Sequence, residues 1–159
     1  MKKFELTSET KINIFGKKLF RIKALVSFGV VKTGETGGWV EKEENVNQSG
    51  DAWVFGNAEV FGNAEVSDNA WVSGDAEVSG NAEVSGNADY TTIHGFGTQF
   101  RTTTFFRCKD KQVKVSCGCF YGTIPEFREQ VKNTRDGKIA EEYLMIADLM
   151  EKHFAEEAK

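Results

Sequence analysis

A six-residue repeat fills the middle of the chain and limits how it can fold. Between residues 51 and 92 the sequence divides into seven hexads. Each hexad contains Ala, and in six of them Val follows two positions after that Ala. An α-helix has 3.6 residues per turn, so a period of six cannot keep one residue type on one helix face. In Ala-x-Val the two apolar side chains share one face of a short strand, and the preceding Gly-Asn pair tolerates the positive φ of a corner. The repeat therefore predicts short stacked strands lined by Val and Ala.

The same residues resemble the hexapeptide-repeat superfamily. Its pattern is an aliphatic residue followed four positions later by a small one, as in Val54 to Ala58 and onward through Val84 to Ala88. The resemblance implies a left-handed parallel β-helix, in which three hexads form one triangular coil and residues eighteen apart stack. It also implies left-handed crossovers, an exception to the usual rule, and homotrimers with the coils side by side. Because the superfamily includes acyltransferases, metal-dependent hydratases and binding proteins, the fold alone does not fix a function.

Stacking at eighteen residues predicts what the outer faces carry. Glu59 and Glu77 would form one acidic ladder, Glu65 and Glu83 a second, and the third face would carry tryptophan. An outward aromatic ladder is too apolar to be left in water, which favours a subunit contact over the alternative of a ligand-stacking platform. The candidate subunit-interface residues are Trp53, Trp71, Phe55 and Phe61.

The flanking sequences complete a mainly β fold class. Residues 1–35 predict an N-terminal β-hairpin or cap, residues 36–93 the β-helix with its regular hexads at 51–92, and residues 94–159 a hairpin with two α-helices. Residues 90–99 predict a Gly-containing loop that leaves the repeat. Thr123 and Glu126 have the spacing of a capping box at the start of the first helix, and the second carries an apolar stripe at helical spacing.

Composition excludes several partners and compartments. The net charge of −4 argues against a nucleic acid polymer as the default partner. No apolar run approaches the ~20 residues of a membrane span, and the first residues lack the apolar core of a signal peptide, so we expect a cytoplasmic protein. Two His cannot supply the three of a hydratase zinc site. Cys108, Cys117 and Cys119 are interpreted as buried structural thiols, so neither a metal nor a cofactor is predicted.

His94 is the candidate for a catalytic group. In hexapeptide acyltransferases a His between neighbouring coils acts as general base on an acceptor hydroxyl, with acyl-CoA bound nearby. His94 lies where the repeat ends, outside the hexads, and the chain lacks the long external loop that frames many such sites. An O- or N-acyltransferase is therefore an alternative, and the residues lean towards a protein without catalytic activity.

Anion binding is the function that the residues after the repeat favour. Basic side chains alternate there with Thr and Phe, and guanidinium groups and hydroxyls are suitable phosphate ligands while aromatic rings can stack a base. We predict a homotrimer that binds a small anionic ligand, such as a nucleotide, between subunits. The candidate ligand-binding residues are His94, Phe96, Arg101, Thr102, Thr103, Thr104, Phe105 and Arg107.

The order of segments also resembles small hexapeptide-repeat proteins encoded in phages and prophages. The segment GGWVEKEENV leads into GNAEV repeats, and RTTTFFRCKD and CGCFYGT follow before a helix. This resemblance implies an anti-defence role in which the protein sequesters a small host signal. A purely structural assembly, or an inhibitor that binds a host protein, is the remaining alternative.

Overall fold

Thirteen strands precede two α-helices in the described part of the chain, residues 2–155 of a computed structural model. The protein is mainly β. The strands are β1 (Phe4–Ile12), β2 (Lys18–Ala24), β3 (Thr36–Val40), β4 (Trp53–Val54), β5 (Glu59–Val60), β6 (Glu65–Val66), β7 (Trp71–Val72), β8 (Glu77–Val78), β9 (Glu83–Val84), β10 (Tyr90–Phe96), β11 (Arg101–Arg107), β12 (Val113–Cys117) and β13 (Phe120–Thr123). The helices are α1 (Ile124–Thr134) and α2 (Gly137–Phe154).

Parallel pairing joins strands of the repeat that lie eighteen residues apart. β4 pairs with β7, β5 with β8 and β6 with β9, and Trp53 lies beside Trp71. Every Val of the first six hexads and every Ala before it is buried. The corner glycines Gly50, Gly56, Gly62, Gly74 and Gly80 have positive φ, and in the one hexad without this glycine Asp68 takes its place with φ 55°. The predicted eighteen-residue stacking and the inward-facing Val and Ala are therefore confirmed.

The N-terminal hairpin extends one face of the repeat. β1 and β2 pair antiparallel, as predicted, and β2 then pairs antiparallel with β3. β3 pairs in parallel with β5, which places Val40 beside Val60. The result is a mixed five-stranded sheet with the order β1-β2-β3-β5-β8.

This hairpin covers aromatic side chains that the sequence placed at a subunit interface. Trp53 is 1% exposed and packs edge-on against Phe4 and Phe28. Phe61 is buried with Leu19 of β2. The sequence argument required both rings to face solvent, and that premise is wrong because the chain's own N-terminal residues bury them.

The repeat ends one hexad earlier than its sequence suggests. Gly86 has an extended φ of −157° instead of a positive one, and Asn87–Asp89 form a 3-10 helix. Ala88 is exposed, whereas every earlier Ala of the repeat is buried. Residues 90–96, predicted as a loop, form β10 instead, because pairing with β11 satisfies their backbone groups.

The C-terminal sheet lies between the repeat and the helices. β10 to β13 pair antiparallel in sequence order. One face carries Phe106, which packs with the Val and Ala of the repeat, and the other carries Phe105, which packs with both helices. The predicted capping box begins α1: the Thr123 backbone N–H donates to Glu126, and the Glu126 N–H donates to the Thr123 hydroxyl. Neither described helix is long and apolar enough to cross a membrane.

Candidate functional site

Strand alternation divides the predicted ligand-binding residues between two faces of the C-terminal sheet. Successive side chains of a strand point to opposite faces, and directly paired residues of neighbouring strands share a face. His94 pairs with Thr102, so both lie on the side of the repeat together with Thr104. Thr103 and Phe105 lie on the side of the helices. One ligand therefore cannot contact the whole predicted set.

Several of these residues are occupied within the protein. The Thr104 hydroxyl accepts a hydrogen bond from the Glu77 backbone N–H at 3.0 Å, which joins the sheet to the repeat. The Thr103 hydroxyl donates to Cys117 Sγ at 3.2 Å. Phe105 is fully buried. These three side chains hold the sheet in place and are inaccessible to a ligand in this structure.

Arg107 and Phe96 are also engaged in packing. The Arg107 guanidinium lies 3.2 Å from a carboxylate oxygen of Asp89, donates to the Phe154 carbonyl oxygen and stacks on the Phe154 ring. Phe96 is half-buried against the helix-side core. Of the predicted ligand set, His94, Arg101 and Thr102 remain together at an accessible surface.

These three residues line an outer groove of about 350 Å³ where the C-terminal sheet meets the repeat. His94 Nδ1 and Thr102 Oγ1 share a hydrogen bond at 3.0 Å. Phe100, at a φ of 53° and 64% exposed, presents its ring at the rim. The remaining lining residues are Ile14 from the tip of the N-terminal hairpin, Asp75, Glu77 and Gly118.

Glu77 is the most strongly perturbed acid of the outer groove. Burial, and after it the Glu59 carboxylate stacked beside it, raise the pKa of its carboxyl to about 7, and Lys11 and Arg101 act in the opposite direction. Lys11 Nζ lies 2.9 Å from the Glu59 carboxylate, so Glu59 has its own counter-ion. Among the described residues, the Glu77 carboxylate has neither an ion pair nor a hydrogen bond.

An inner pocket of about 130 Å³ lies on the other side of Arg101. Arg101 and Arg135 line it together with Gln130, Thr134 and Tyr143. The Arg135 guanidinium lies 5.6 Å from the centre of the Tyr143 ring, a cation–π distance. Within residues 2–155 the lining contains no carboxylate, and neither arginine forms an ion pair. The pocket is therefore electropositive.

Two thiols and a phenol form the floor of the inner pocket. Cys117 is buried beneath Thr103, Cys119 is exposed, and Gly118 between them has a φ of 59°. A side chain at Gly118 would approach Arg101 to 2.9 Å, so glycine leaves room for that guanidinium. Burial raises the pKa of the Tyr143 hydroxyl, which therefore stays protonated as a donor at neutral pH.

Comparison with known proteins adds no relative. The chain matches no family model and no curated protein. The inference of function therefore rests on Arg101, Arg135 and the groove that adjoins them. Among the described residues no group of three His, Cys, Asp or Glu side chains is arranged to hold a metal ion.

Two residues of the site escaped the sequence analysis. Arg135 lies between the two helices, 34 positions after Arg101, and only the packing of α1 on the sheet brings the two together. Glu77 was assigned to an outward acidic ladder, which is its position, but its partial burial comes from the C-terminal sheet that covers the end of the repeat. A lone Arg after a predicted helix and a Glu in a repeat are weak signals.

Proposed function

We propose that the protein binds a small anionic ligand, with the anionic group in the inner pocket between Arg101 and Arg135. The observation that carries this proposal is that both guanidinium groups line one pocket and neither has a carboxylate partner among residues 2–155. Three other arginines of the chain do have one: Arg21, Arg107 and Arg128. Guanidinium groups without a direct carboxylate partner keep their hydrogen-bond donors available to a ligand.

The size of the inner pocket suits one phosphate or carboxylate group. About 130 Å³ is the room of roughly four water molecules at ~30 Å³ each, too little for a nucleoside. Guanidinium donors bind phosphate oxygens in a fork, and each charge-assisted hydrogen bond contributes about 1.5–3 kcal/mol. The rest of a larger ligand, such as a nucleotide, would extend past Arg101 into the outer groove, where Phe100 offers a ring for stacking.

We propose a site within one subunit, because residues of one chain line both pockets. The sequence predicts a site between subunits, and self-association stays a separate proposal. The Phe55 and Trp71 rings pack edge-on, with centres 5.9 Å apart, and Trp71 is 37% exposed. We propose that a homotrimer, if formed, uses this remaining aromatic pair.

We also propose that the repeat is a left-handed parallel β-helix of the hexapeptide-repeat type. Three parallel ladders at eighteen-residue spacing, inward Val and Ala, and positive-φ corners support it. A phage-encoded protein of this type that sequesters a host signal would need binding and no turnover, and the inner pocket offers the guanidinium donors for such binding.

Calorimetric titration of the purified protein with pyrophosphate and with nucleoside monophosphates tests the binding proposal. Arg101→Met and Arg135→Met keep the aliphatic stem and remove the donors. Each is expected to weaken binding about 10- to 100-fold, in line with the loss of one charge-assisted interaction. Arg128→Met is the matched control, because Arg128 pairs with Asp148 and Glu151 outside the pocket, and it should bind like the parent protein.

Several outcomes would contradict the proposal. Absence of heat with every anion would remove it, as would equal binding by the Arg101, Arg135 and Arg128 variants.

Incubation with acetyl-CoA and amine or hydroxyl acceptors tests the acyltransferase alternative. Turnover that disappears in His94→Ala would replace the binding proposal by an enzymatic one.

A further inference from the structure

Resting on the proposed anion site, we infer that the ligand is a nucleotide whose base carries an exocyclic amino group, which Glu77 recognises in the outer groove. Three observations meet there: a carboxylate without a partner among the described residues, an exposed aromatic ring at the rim, and a direct connection to the inner pocket through Arg101.

Glu77 is held in the groove by the backbone on both sides. Its N–H donates to Thr104 of the C-terminal sheet, and β8 pairs with β5 at Glu59. Because Glu59 is already neutralised by Lys11, the Glu77 carboxylate is the acceptor of this ladder left for a ligand. A carboxylate is an acceptor of N–H groups and has no donor of its own when ionised.

The bases differ in whether they present an amino group that the Glu77 carboxylate could bind. Adenine, guanine and cytosine present an exocyclic amino group on the edge used for pairing, whereas uracil and hypoxanthine present a carbonyl oxygen or a C–H at that place. Above pH 7 Glu77 is ionised, and a carbonyl facing its carboxylate would then be repelled and would leave a half-buried acceptor unsatisfied. A site that hydrogen-bonds a ligand group discriminates strongly against the analogue that lacks it.

Phe100 offers an aromatic ring on which the face of the base could stack. Its exposed ring and the Ile14 side chain both line the outer groove, so a planar base bound there has an aromatic ring to stack on while its sugar passes Arg101. Stacking is tolerant of base identity, so selectivity would come from Glu77 and affinity from Phe100 and the arginines.

The experiment compares matched ligands by equilibrium titration at about pH 8.5, where the Glu77 carboxyl is ionised. Guanosine and adenosine monophosphates are measured against inosine monophosphate, and cytidine against uridine monophosphate. At least one amino-bearing ligand is expected to bind about tenfold more tightly than its counterpart. Glu77→Gln is expected to reduce that ratio at least threefold, and Glu83→Gln, the same hexad position on another face and exposed, should leave it unchanged.

Ribose 5-phosphate separates failure of this inference from failure of the anion site. Suppose that ribose 5-phosphate binds in an Arg101-dependent manner, and that the amino-bearing nucleotides bind no more tightly than their matched counterparts. The anion site then stands and the amino-group inference is overturned. The same holds if discrimination survives Glu77→Gln. If neither ribose 5-phosphate nor any nucleotide binds, both proposals fall.

Discussion

Replacing Glu77 by glutamine is expected to stabilise the fold at pH 8 and to change its stability little near pH 5. The folded protein raises the pKa of this carboxyl from 4.5 to about 7, mainly through burial. Between these values the unfolded chain has released a proton that the folded protein keeps, so stability is present below pH 4.5 and is lost as the pH rises towards 7. Glutamine has no charge to bury and is free of this loss.

The expected size of the effect follows from the same numbers. The interval from 4.5 to about 7 corresponds to roughly 3.4 kcal/mol at 1.36 kcal/mol per pH unit. Glu77 is only half-buried, and water screens part of this, so we expect a gain of about 1–2 kcal/mol at pH 8. At 2–4 °C per kcal/mol for a chain of this size, Tm should rise by roughly 2–8 °C.

Urea unfolding followed by tryptophan fluorescence at pH 5 and pH 8 measures the difference. Glu83→Gln serves as the control, because Glu83 is exposed in the equivalent hexad position, and it should stay within about 0.5 kcal/mol at both pH values. The reasoning is refuted if Glu77→Gln has the same effect at both pH values, or if it destabilises the protein at pH 8.

Two further predictions concern the aromatic side chains of the repeat. Trp53→Ala should lower the free energy of unfolding by about 3–5 kcal/mol, since Trp53 is buried under the hairpin, whereas Trp71→Ala should cost about 1 kcal/mol or less; equal costs in urea unfolding would contradict the described packing. If the aromatic pair forms the trimer contact, light scattering should give a trimer for the parent protein and a monomer for Trp71→Glu, and an unchanged mass would exclude this contact.

The sequence predicts the interior of the repeat well because one local rule governs it. A period of six with Ala and Val two apart determines which side chains point inward, and the buried Val54 and Val72 confirm it. The rule says nothing about what covers the outward positions. Trp53 points away from the coil as expected, yet the N-terminal hairpin lies over it. The six-residue pattern cannot reveal this cover, because the contact joins residues far apart in the chain.

The candidate site was predictable only in part for a similar reason. Arg101, His94 and Thr102 are close in sequence and meet in the outer groove. Their neighbours Thr103 and Phe105 were included because the segment was treated as one surface, although alternation along β11 divides it between two faces. Residues 90–96 were assigned to a loop because the segment contains glycine, but Tyr, Thr and Ile are favourable in strands.

Ile14 and Phe100 line one groove although they are far apart in the chain. Ile14 lies in the N-terminal hairpin and Phe100 in the turn between β10 and β11, and the stacked strands β5 and β8 belong to the sheet that the hairpin extends. Neighbouring strands are ~4.8 Å apart, so the insertion of one eighteen-residue coil between β5 and β8 would move the hairpin by about that step relative to the C-terminal sheet. The groove would then accept a ligand of a different size without a substitution in any residue that lines it.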